Sequence, residues 1–151
     1  MLVIGCGNRH CGDDAAGILV AEQLQRLGIT AKTCSGETTE LLEAWKDADD
    51  VIVVDAVVTG APAGTIHSWD GKQAFASVRN LSSTHGFGVA EAIPLAHALD
   101  RLPARLLVYG IEGQQFESGG PVSAEVESGV GEVVRRIVAQ ITSSNVAAMP
   151  A

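Results

Sequence analysis

Apolar and polar positions fall into blocks whose spacing changes from strand-like to helical and back along the chain. Leu2 to Cys6 is a short apolar run ended by glycine, which predicts a buried strand. Ala15 to Leu27 sets Ile18, Leu19, Ala21, Leu24 and Leu27 at helical spacing before Gly28 stops it. Thr30 to Ser35 predicts a second strand, and Glu37 to Ala48 a second helix with Leu41, Leu42 and Trp45 on its inner face. Asp50 to Val57, DVIVVDAV, is the clearest strand: rich in β-branched residues and apolar on both faces, as the centre of a covered parallel sheet requires.

The link VTGAPA to the next run, GTIHSW, is too short for a crossover helix, so a fourth strand is expected to run antiparallel as a hairpin partner at an edge. Asp70 to Thr84 shows no clean period and predicts a surface segment with one helical turn at most. A helix is expected from Phe87 to Leu99, kinked or restarted at Pro94, and Ala104 to Ile111 predicts a fifth strand. After the loop EGQQFESGGP, Val122 to Ile141 forms a last helix with Val126, Val130, Val133, Val134, Ile137 and Val138 as its apolar stripe. Small and polar residues from Thr142 onward predict a frayed end, giving one domain over 1–141 and a flexible tail over 142–151. Strands alternating with helices predict an α/β three-layer sandwich: a mixed, mostly parallel five-stranded sheet with helices on both faces.

Composition narrows the partners. Hydrophobic residues make up 46% of the chain with only three Phe, two Trp and one Tyr, so the core must be built from Ala, Val, Leu and Ile. A formal charge of -8 with no Lys/Arg cluster repels nucleic acid and anionic lipid alike. Cys6, Cys11 and Cys34 form an odd set without C-x-x-C spacing, which suits reduced thiols in the cytoplasm. The opening run lacks the regions of a signal peptide, and no apolar run is long enough to span a bilayer.

In such a fold, chemistry gathers at the carboxyl ends of the strands. Asp13 and Asp14 follow the first strand, Asp55 lies near the end of the third, and His85 precedes a helix. Parallel neighbours end on the same side, so Asp14 and Asp55 can face one crevice that a loop-borne His85 can reach, a set suited to a divalent metal with open positions. Asp13 is expected to cap the first helix. Asp55 is hard to explain structurally, since an acid in the most apolar strand costs several kcal/mol unless paired, ligated or at the strand mouth. His10 and Cys11 read as surface residues of a Gly-rich turn, Cys6, Trp45 and Trp69 as packing, and His67 and His97 as strand and helix residues without acidic company. Gly5 and Gly7 make a weak dinucleotide signal, because the third glycine falls at Gly12. No G-x-S-x-G elbow or H-E-x-x-H helix occurs, so hydrolysis would have to lean on a metal.

GCGNRHCGDDAAG resembles the G-x-G-N-x-x-x-x-D-[DE]-x-x-G signature of the hydrogenase maturation endopeptidases. VIVVDAV is similar to that family's strand bearing a nickel-binding acid, STHGFGVAEAI to its histidine segment, and LLVYGIEGQQFESGGPVS to its last strand and loop. The resemblance spans most of the chain in the right order. It implies removal of a C-terminal extension from the precursor of the [NiFe] hydrogenase large subunit, with Asp14, Asp55 and His85 as the metal-contacting and catalytic residues and nickel supplied by that precursor. Gly5, Gly7, Asn8 and Gly17 then shape the backbone around the metal-contacting acid. A non-catalytic nickel-sensing chaperone of the same subunit is the alternative expectation. Two departures from the family pattern, Glu37 between Gly36 and Thr38 and Gly113 in the last loop, leave the proposed ligands untouched.

Overall fold

The computed structural model describes residues 1–71 and 88–148. Among them are strands β1 (Leu2–Cys6), β2 (Ala31–Cys34), β3 (Asp50–Val57), β4 (Ile66–Asp70) and β5 (Arg105–Glu112), and helices α1 (Ala16–Arg26), α2 (Thr38–Ala44), α3 (Gly88–Ala98) and α4 (Ala124–Ala148). The strands form one sheet in the order β2-β1-β3-β5-β4, in which only β4 runs antiparallel.

Period-2 alternation divides the core. In β3, Val51 and Val53 join Ile4, Leu41, Trp45 and Ile93 on the face covered by α2 and α3, while Ile52 and Val54 join Val20, Leu24, Val130 and Ile137 under α1 and α4. The result is the expected three-layer α/β sandwich with helices on both faces.

Four features depart from expectation. β4 is antiparallel and at an edge, but its partner is β5, with Ile66 opposite Ile111, and β5 itself lies between β3 and β4. Burial decides this: β5 is enclosed over most of its length, whereas His67, Ser68 and Asp70 leave β4 only partly covered and fit for an edge. The last helix does not fray at Thr142 but continues to Ala148. Thr142 Oγ1 donates to the Val138 carbonyl (2.9 Å) and Ser144 Oγ to that of Gln140 (3.0 Å), so these hydroxyls bond along the helix instead of ending it. α3 runs through Pro94 without restarting there. α2 stops at Ala44, and Asp47 in the left-handed region, at φ 65°, turns the chain toward β3.

Candidate active site

The turn after β1 is shaped by backbone contacts that only glycine permits. Gly7 has φ 142°, and a Cβ there would collide with the Asp14 carbonyl oxygen. Gly17, at the start of α1, lies against the Val54 and Cys6 backbones so closely that a side chain would strike both carbonyl oxygens. The helix start is thereby pressed onto the strand ends, and the single turn of 3-10 helix over Gly12–Ala15 packs against β3. Asn8 holds the loop: its N–H donates to Asp14 Oδ2 (3.0 Å), and its Oδ1 accepts from the His10 N–H (2.9 Å).

Asp14 is half-buried at this mouth. Asp55 continues the Val51, Val53 series two residues before the end of β3, also half-buried, and accepts a hydrogen bond from the Ala56 N–H (2.8 Å). Burial pushes the Asp55 carboxyl well above the usual carboxylate range, the charge of Asp14 adds to the rise, and the Ala56 N–H opposes it. Each acid therefore lies within the other's field, as parallel neighbours ending on one side require. Two half-buried carboxylates so arranged attract a cation and can exchange a proton with water. Among the described residues no group of three or more His, Cys, Asp or Glu side chains is arranged to hold a metal ion. His85 lies outside the described residues.

Asp13 does not cap the first helix: neither the 3-10 turn nor α1 receives a side-chain cap bond. It is fully buried and accepts from the N–H groups of Gln114 (2.9 Å), Gln115 (3.0 Å) and Ser123 (2.7 Å) and from Ser123 Oγ (3.0 Å). The Asp13 carboxylate thus ties the Gly-rich turn to the loop between β5 and α4 and satisfies a donor at the α4 N-terminus. Glu37 is exposed in extended backbone before α2.

A second acidic cluster, missed in the sequence, lies at the ends of β3 and β5. Glu112 is 1% exposed and accepts from the Thr59 N–H (2.8 Å) and Oγ1 (2.5 Å), with His67 Nε2 at 3.2 Å. His67 therefore has acidic company after all, and its ring stacks on Trp69 at 5.5 Å. The readable signal was an acid at the end of an apolar strand, close kin to the acid inside an apolar strand that marked Asp55.

Comparison with known proteins places this geometry in context. The model of the family described as hydrogenase maturation protease matches residues 35–140. The hydrogenase 2 maturation protease of Escherichia coli K12 is 26% identical over 156 residues, which cover 99% of this chain and 95% of that protein. Among solved structures, the hydrogenase maturating endopeptidase HybD from E. coli superposes with a TM-score of 0.78 at 25% identity, over 95% of this chain and 92% of that one. The [NiFe] hydrogenase maturation protease HybD from Thermococcus kodakarensis gives 0.77 at 23% identity, over 93% and 97%.

Proposed function

The chain belongs to the hydrogenase maturation protease family, and from that premise we propose that it is an endopeptidase that removes the C-terminal extension of a nickel-loaded [NiFe] hydrogenase large-subunit precursor. The observation that carries this reading is the convergence of Asp14 and Asp55 at the carboxyl ends of β1 and β3, where the charge of Asp14 adds to the cost of ionising Asp55. Nickel held by the precursor's own cysteines would relieve that repulsion, with His85 as the further donor the family resemblance assigns. The metal then acts as the signal that the precursor is ready, and docking it at the mouth positions the tail.

Hydrolysis needs a group that takes a proton as water adds to the scissile carbonyl and returns it to the leaving amine. Asp55 suits this role, because its raised proton affinity keeps it a better base than an ordinary aspartate. Asp14, fixed by the Asn8 N–H, would stay oriented toward the cation.

The test is the intact mass of the precursor after incubation with this protein, with and without nickel loading. Loss of the tail only from the nickel-loaded sample is the expected result. An unchanged mass in both samples with binding retained would overturn the reading in favour of a non-catalytic nickel-sensing chaperone, and loss in both would remove nickel as the signal.

A further inference from the structure

Cys6 ends β1 and Cys34 ends β2, and the parallel register sets the two residues directly opposite each other. Their sulfurs lie 3.2 Å apart, although the residues are 28 positions apart in sequence. Both thiols are free and buried. Cys34, unlike Cys6, lines a surface cavity of about 380 Å³ together with Gly7, Asn8, Ser35 and Glu40, which opens an approach to the pair from the Cys34 side.

We propose that Cys6 and Cys34 are a dithiol modification site that closes to an intrachain disulfide by exchange with a small-molecule disulfide. Cys34 is the attacking thiol. Its sulfur, as thiolate, attacks one sulfur of the reagent, forms a mixed disulfide and releases one thiolate. Cys6 then gives up its proton and attacks the Cys34 sulfur, expelling the second thiolate, so the protein dithiol loses two electrons and the reagent is reduced to two thiols. Closure needs a movement of roughly 1 Å between the sulfurs.

The division of roles agrees with the local electrostatics. The two sulfurs share an S–H···S hydrogen bond in which either can donate; this bond with help from the Gly36 backbone holds the Cys34 thiol below its usual value, while the same bond and burial push the Cys6 thiol up. The site also touches the candidate active site. Cys6 leads directly into the turn that carries Asp14, and the charge of Cys34 contributes to the raised proton affinity of Asp55. This inference does not depend on which precursor the protein processes.

The experiment uses the full chain carrying Cys11→Ser, which removes the third, half-buried thiol. The protein is incubated with glutathione disulfide, alkylated under denaturing conditions and mapped by peptide mass. A cross-linked pair of peptides containing Cys6 and Cys34, short of two hydrogens and restored by dithiothreitol, is the expected result. Two alkylated cysteines, or glutathione retained on Cys34 without closure, would overturn the proposal. Adding Cys6→Ser should arrest the reaction with one glutathione on Cys34, and a Cys6→Ser protein that folds yet takes up none would show that Cys34 is not the attacking thiol.

Discussion

Asp55 and Glu112 stand at the same end of the sheet on neighbouring strands, β3 and β5, Asp55 among the last residues of an apolar strand and Glu112 closing one. Glu112 is enclosed and meets a backbone N–H, a hydroxyl and an imidazole. Among the described residues Asp55 receives one hydrogen bond, from the residue next to it, and faces the like charge of Asp14. A carboxyl group met by several donors has its polar atoms satisfied and stabilises the fold, whereas one left with a like-charged neighbour costs stability wherever it is ionised. Such a cost is tolerated where a ligand or a reaction makes use of it. The first environment builds the molecule and the second is available for chemistry.

Substitution at Asp55 tests this most severely. Asp55→Asn is expected to lower processing of the nickel-loaded precursor at least ~100-fold, the scale of a lost acid–base group, while its urea midpoint at pH 7 stays equal or rises. A fall in stability alongside the loss of processing would put Asp55 in the same structural class as Glu112.

Asp13 extends the comparison to a third acid. Asp13→Ala would leave the Gln114, Gln115 and Ser123 donors unmatched, and a loss of about 3 kcal/mol or more is expected in urea unfolding. An unaffected midpoint would mean that the loop between β5 and α4 is held by other contacts. For Glu112→Gln the expected loss is smaller, about 1–3 kcal/mol, because the amide keeps one acceptor for Thr59 and places its NH₂ against other donors. Nickel-dependent processing should survive in that variant, and its abolition would bring the Glu112 cluster into the reaction.

The finest distinction lies in pH. Because the folded-state pKa of Asp55 is raised, the native state binds more protons than the unfolded chain between the ordinary aspartate value and the raised one. Stability contributed at this position therefore falls as pH rises through that window. In metal-free protein, the stability of Asp55→Asn relative to the parent should be lowest under acid conditions, grow as pH rises through that window and level off above the raised pKa. A gap independent of pH would remove the electrostatic contrast with Glu112.

Much of this was open to reading in one dimension. β3 occupies Asp50–Val57 as expected, because burial on both faces leaves a continuous apolar run that no other element produces so compactly. The sharing of a mouth by Asp14 and Asp55 was equally legible, since adjacent parallel strands must end together. The position of β4 was not, because a short link constrains direction but not which neighbour inserts.

Local periodicity by itself determined the elements, the layers and the end of the sheet where acids collect, all of which depend on residues a few positions apart. Only the tertiary structure decided which acids find donors. Asp13 meets the Gln114 N–H 101 positions away, Glu112 meets His67 across 45, and Cys6 meets Cys34 across 28. A carboxylate or thiol carries the same signal in the sequence whether it is saturated or exposed to a like charge. Its role is set by the groups that folding brings within about 3 Å of it.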